Sequence, residues 1–155
     1  AGEETDVLAF WDRETGHLLH RIDVPTVLTA LAVSPDGRVV ACGGSDKTVR
    51  FYAARDFHLE RTMRAHDRTV TAIAWHPTQP IIATASDDVA LKLWDSRDGT
   101  LIGHTLGMGR AILAVSFDAK GNRVAIGTAD ERALVFETEK LLAAHRLTAP
   151  LPKKP

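Results

Sequence analysis

The sequence predicts an all-β fold built from stacked four-stranded antiparallel units. Three observations carry this: an internal period of 42 residues, short apolar runs rich in β-branched residues between turn clusters, and no convincing helical period. Written in rows one period apart, "TALAVSPDG" (29–37) lies over "TAIAWHPTQ" (71–79) and "LAVSFDAKG" (113–121). The following columns align "VVACGGSDKTVRFY" (39–52), "IIATASDDVALKLW" (81–94) and "RVAIGTADERALVF" (123–136) without a gap. Asp46, Asp88 and Asp130 therefore recur at a fixed interval, as do Tyr52, Trp94 and Phe136. A partial copy lies at the front, where "VLAFWD" (7–12) matches "LKLWDS" (91–96) and puts Trp11 in the aromatic column.

Two runs, about 6–11 and 17–23, open the chain as the outer strands of an incomplete unit. Each later unit starts with an apolar run (28–33, 70–75, 112–117) that meets a turn cluster, "SPDG", "HPTQP" or "DAKGN", and a second apolar run follows, as in a hairpin. These first two runs are apolar nearly throughout, the pattern of strands covered on both faces. The last run of each unit, "HLLHRID" (17–23), "LERTMRA" (59–65) or "LIGHTLG" (101–107), mixes polar and apolar residues, as a strand half open to water should. A dry inner strand and a wet outer one, with both faces needing neighbours, describe β-propeller blades. The expected fold is three full blades of four antiparallel strands plus the two outer strands of a preceding one. Residues 1–23 form the partial blade, 24–65, 66–107 and 108–147 the full ones, and "TAPLPKKP" (148–155) an extended tail. Closed propellers have ~4 to 8 blades, so the chain is expected to belong to a longer propeller. The remaining blades then lie on the same or another chain; the alternative is an open half-propeller with apolar faces exposed.

The period, the Trp-Asp pair and the order of turns together resemble a run of WD-repeats, over about residues 5–147. The resemblance implies a His before the first strand, an Asp in the turn between second and third strands, and Trp-Asp closing the third. The middle unit has every part: His66, Thr84, Asp88 and Trp94-Asp95. In the family these side chains form a hydrogen-bond chain from Trp through Ser or Thr to His and Asp. A buried carboxylate needs several donors and a buried indole N–H needs an acceptor, which gives such a chain its physical reason. The neighbouring units depart from the pattern, with Val24, Cys42, Asp46 and Tyr52 in one and Met108, Ile126, Asp130 and Phe136 in the other. Only the aspartates Asp46 and Asp130 survive there, expected to serve as turn residues that accept backbone N–H groups. The resemblance also implies that partners dock on the rim made by the loops before each first strand and the turns between second and third strands. That assigns Lys47, Arg68, Thr69, Asp87, Met108, Arg110, Glu131 and Arg132 as partner-binding candidates, with Arg68 and Arg110 in one column able to fork onto carboxylates or phosphates.

Composition narrows the function further. The chain has 155 residues, 45% hydrophobic and 25% charged, which suits a single soluble globular domain. A formal net charge of −1 gives no basic footprint for nucleic acid or an anionic membrane. No apolar run reaches the ~18 residues of a membrane span, "AGEETD" carries no signal-peptide pattern, and the single cysteine, Cys42, fits a reducing cytoplasmic compartment. Catalytic and metal readings fare poorly. His17 and His20 of "HLLH" stand three apart on a strand and point to opposite faces. Ser45 lacks the strand-turn-helix setting of a nucleophile, and "GMGRAI" (107–112) lacks the third glycine and helix of a phosphate cradle. Asp87 and Asp88 diverge as neighbours on a turn. The expectation is therefore a protein- or peptide-binding scaffold with no catalysis, metal or cofactor; the alternative is a regulatory or substrate-positioning propeller region of a larger enzyme.

Overall fold

In a computed structural model the structure describes residues 5–105 and 109–148, the side chains of 146–148 excepted. Four antiparallel sheets follow one another along the chain. The first pairs β1 (Asp6–Trp11) with β2 (Leu18–Val24). The second has β3 (Leu28–Val33), β4 (Val39–Gly44), β5 (Thr48–Ala53) and β6 (Leu59–Arg64) side by side in chain order. The third repeats this with β7 (Val70–Trp75), β8 (Ile81–Ser86), β9 (Leu91–Asp95) and β10 (Leu101–His104). The fourth holds β11 (Ile112–Phe117), β12 (Arg123–Thr128) and β13 (Ala133–Glu137). The second and third sheets are four-stranded blades as the sequence predicts, and the first is the expected pair of outer strands.

The core lies in the seams between sheets. Ile81, Ala83, Leu91 and Leu93 of the third sheet meet Ile112, Val124 and Ile126 of the fourth. Ala41, Val49 and Phe51 of the second meet Val70, Ile82 and Trp94 of the third. Each fully buried Leu, Ile or Val contributes roughly 1.5–3 kcal/mol relative to exposure, so the seams dominate stability. A second device recurs with the period. The first strand of each full unit shifts register against the second at Leu28/Ala30, Val70/Ala72 and Ile112/Ala114. At this bulge Thr29 Oγ1 donates to the Val70 carbonyl (2.5 Å) and Thr71 Oγ1 to the Ile112 carbonyl, stitching each inner strand to the next unit. The third residue of that column is Leu113, which is exposed.

Two features differ from the sequence expectation. Residues 138–148 form a helix, α1 (Thr138–Thr148), where the register of the last unit calls for a fourth strand. "TEKLLAAHRLT" is rich in helix formers, Glu139 suits the positive end of the helix, and Lys140 pairs with Glu137 at 2.9 Å. Leu142 is buried and Leu141 half-buried against the seam beside β10. The expected blade 108–147 thus has three strands and a helix among its described residues. Of the expected tail 148–155, Thr148 closes α1, and 149–155, like residues 106–108 at the preceding boundary, lie outside the described residues. Second, β3 is half open. Leu31 is 57% exposed where its column mate Ile73 is 8% exposed, because β1 and β2 have no inner strands to cover it. Trp11 is likewise 62% exposed where Tyr52 and Trp94 are 4% and 8%.

Candidate interaction rim

The loops before the first strands and the turns between second and third strands lie at one end of every blade, and an aspartate braces each of these turns. In the middle blade Asp88 sits between β8 and β9. Trp94 Nε1 donates to Thr84 Oγ1 (2.9 Å), which lies 2.7 Å from His66 Nε2, and His66 Nδ1 lies 2.9 Å from Asp88 Oδ2. The backbone N–H groups of Asp67 (2.9 Å) and Ala90 (3.1 Å) complete the carboxylate's donors. Since the indole can only donate, the Thr84 hydroxyl accepts from Trp94 and donates to Nε2, leaving Nδ1–H for Asp88. Every polar atom is used when His66 is neutral. Burial lowers the His66 pKa, Asp88 opposing, and Asp88 is held below the usual carboxylate range although burial pushes it up, through the Asp67 N–H and His66.

The other two aspartates find cations that the sequence reading did not foresee. Asp46 receives Arg50 Nη2 at 2.6 Å and Thr48 Oγ1 at 2.9 Å, while Arg50 Nη1 donates to Thr48 Oγ1 at 2.6 Å. Arg50 stands one period before Lys92 and is buried, so the guanidinium fills the place of a missing histidine. The sequence signal was available: an arginine four residues after the turn aspartate, on the same strand face as Tyr52. Asp130 pairs with Arg132 and accepts from Thr128 Oγ1 at 2.5 Å. Arg132, a partner-binding candidate, is thus also a turn brace. One fold position is held by three different donors, from residues 50, 66 and 132.

The turns carry a shared strain. The residue after each aspartate, Lys47, Val89 and Glu131, has a left-handed φ of 73°, 64° and 64°. For β-branched Val89 this conformation costs about 1–2 kcal/mol. Val89→Asn is expected to raise stability by about 1 kcal/mol, read as a higher urea midpoint at constant slope; an unchanged midpoint would place no strain there.

The remaining candidates sit on the rim surface. Arg68 and Arg110 are exposed, and Lys47, Thr69 and Asp87 are half-buried. Glu131 is exposed, and Met108 lies outside the described residues. Of the discarded readings, His20 stacks on Phe57 with ring centroids 4.8 Å apart, and Ser45 Oγ lies 3.2 Å from Thr26 Oγ1. No group of three or more His, Cys, Asp or Glu suited to a metal forms among the described residues.

Four-stranded sheets seamed face to face, with Asp-braced turns along one rim, define a propeller-type repeat protein. Residues 15–52 and 57–95 match the family model for the WD domain, G-beta repeat. Each match runs from an outer strand, β2 or β6, through the first three strands of the next sheet, so the sequence repeat is one strand out of phase with the blade. The chain is 29% identical over 126 residues to an uncharacterized WD repeat-containing protein of Schizosaccharomyces pombe, covering 81% of this chain and 31% of that protein. It is 33% identical over 134 residues to WD repeat-containing protein RUP1 of Arabidopsis thaliana, covering 78% of this chain and 34% of that one. With pre-mRNA-processing factor 19 of Bos taurus it shares 23% identity over 118 residues, 76% of this chain and 23% of that one. The chain belongs to the WD-repeat family, and it spans about a third or less of the length of these relatives.

Proposed function

We propose that the chain is an interaction scaffold whose loop rim binds a protein or peptide, with no chemistry of its own. The observation that carries this is a division of labour among rim charges. Asp46, Arg50, Asp88, Asp130 and Arg132 are spent on the turns. Among the described residues the side chains of Lys47, Arg68, Asp87, Arg110 and Glu131 form no hydrogen bond or ion pair and stand ready for a partner. Arg68 and Arg110, one period apart on neighbouring blades, suit carboxylates of that partner. Binding to proteins rather than to nucleic acid or membrane fits the near-zero net charge. Cytoplasmic placement fits a lone, buried Cys42 whose thiol burial pushes up to about 11.

The apolar surfaces left bare on β3 and on the outward face of the fourth sheet, Leu31, Val33, Leu113 and Val135, are the places for further blades of the same or another chain. The longer relatives supply the precedent in length. The rim is tested with Arg68→Glu, Arg110→Glu in one chain, used as bait beside the parent and followed by affinity measurement on whatever the parent retains. The double variant is expected to keep the parent's denaturation midpoint and lose at least about tenfold in affinity. Equal affinity would remove these blades from the docking face.

A further inference from the structure

The rim opposite the proposed docking loops carries a cavity of about 340 Å³ between the second and third sheets. It is reached from the turns that join first to second and third to fourth strands, and Ser34, Phe51, Arg61, Trp75, Ser96 and Arg97 line it. Phe51 and Trp75 form an edge-to-face pair, centroids 6.2 Å apart, and the Trp75 indole is committed to the Ala32 carbonyl at 3.3 Å. Arg61 lies across this aromatic floor, its guanidinium carbon 4.5 Å from the Phe51 centroid. Its Nη2 donates to the Ser96 carbonyl at 2.8 Å, which fixes its plane across the seam.

Apart from Glu60, the other charges at this cavity are accounted for. Arg97 forks onto Asp95 with Nε and Nη2 at 2.9 and 2.5 Å. Asp36 accepts from the Ser34 hydroxyl at 2.6 Å and from the Arg38 N–H at 3.1 Å. Glu60, also on the lining, is exposed and forms no ion pair with its neighbour among the described residues. Arg61 combines partial burial with a buried Nε–H that lacks an acceptor; it makes no direct ion pair among the described residues, and the carboxylate that feels its charge, Asp95, is already forked by Arg97. A half-buried guanidinium with an unsatisfied N–H gains from an anion that meets it, and a carboxylate matches its planar fork.

We propose that this cavity is a second binding site, which takes a carboxylate-bearing side chain of a peptide, with Arg61 receiving the carboxylate and the Phe51–Trp75 floor receiving the apolar part of the ligand. The site is independent of the loop rim, since it shares no residue with it. Glu60 at the mouth opposes an anionic ligand and sets its affinity from outside.

Phenylacetate reproduces the two chemical parts and serves as the probe, titrated into the isotope-labelled chain and followed by amide and indole N–H shifts. Saturable shifts at the Trp75 indole and at Ser96 and Arg97 are expected, with a dissociation constant on the order of a millimolar for so small a ligand. Phenylacetamide, the neutral isostere, is expected to bind at least tenfold more weakly. Arg61→Lys keeps the charge but not the fork and is expected to weaken phenylacetate at least fivefold, whereas Glu60→Gln is expected to tighten it twofold to threefold. Arg68→Glu, Arg110→Glu should leave the titration unchanged, which separates this site from the rim. Should Arg61→Lys fold poorly, the acid-against-amide ratio and the Glu60→Gln effect still decide. Equal binding of acid and amide, shifts that map elsewhere, or inorganic phosphate matching phenylacetate at the same amides would each overturn the assignment.

Discussion

Gly121→Ala is expected to destabilise the chain by about 2–5 kcal/mol, more than any other single methyl added to its surface turns. Gly121 occupies the turn between β11 and β12 with φ +75°, a conformation that costs an L-residue about 1–2 kcal/mol. A Cβ there would also lie 2.0 Å from the His76 ring. His76 cannot step aside. It is buried, its Nδ1 accepts the N–H groups of Thr78 (3.2 Å) and Gln79 (3.0 Å), and its ring leans on Phe117 at 5.1 Å. The turn cannot retreat either, because the Thr138 hydroxyl holds the Gly121 carbonyl at 2.7 Å. The backbone and contact parts can be separated. In a His76→Ala background the ring is gone, and Gly121→Ala should then cost only the ~1–2 kcal/mol of its conformation. Urea unfolding of the four members of this cycle is the measurement. A Gly121→Ala midpoint within error of the parent would show that the two turns do not touch.

His76 and Gly121 show where sequence reasoning ran out. Period and turn clusters made the strands and their order legible, because a 42-residue register repeats the same hairpin and the eye needs only the pattern. The middle blade's polar chain was legible too, since His66, Thr84, Asp88 and Trp94 match the family motif one by one. Contacts between blades were not. His76 stands in a column with Ser34 and Asp118, each opening the turn after a first strand, and only the three-dimensional stack shows that its ring covers the next blade's glycine. Arg50 was hidden for a similar reason. The motif directed attention to the histidine column, whereas physics requires only some donor near Asp46 and is indifferent to its position in the chain. Helix α1 departs from the strand that the register calls for because "EKLLAAHRL" has strong helix formers and no turn residue, and Leu141 and Leu142 reach the seam from the helix.

Asp88→Ala is expected to cost about 2–4 kcal/mol, and the pH dependence of the parent should identify the cause. The substitution leaves a fully buried His66 with an unsatisfied Nδ1–H and frees the Asp67 and Ala90 N–H groups. Asp88→Asn retains an acceptor for Nδ1–H and should lose less, about 1 kcal/mol. With neutral His66 the Thr84 proton has an acceptor in Nε2, whereas a second ring proton would take the remaining Thr84 lone pair and leave that hydroxyl proton without this acceptor. The folded pKa of His66 therefore lies below the unfolded value near 6.5, chiefly through burial. Below that pH the unfolded state binds the extra proton and the folded state does not. Stability is then fully present above about pH 6.5 and falls as pH drops toward the folded value, with a slope of at most about 1.4 kcal/mol per pH unit from this group. Asp88 adds to the loss only lower down, below the usual carboxylate range, because its folded pKa is depressed as well. His76, also lowered by burial, contributes in the same direction as His66, so the diagnostic is a difference. Replacing His66 with Gln should flatten the slope between pH 6.5 and 5 by one proton's share while leaving that of His76. If the parent and His66→Gln lose stability in parallel over that range, the histidine is already charged in the folded blade and the neutral relay from Trp94 to Asp88 does not exist.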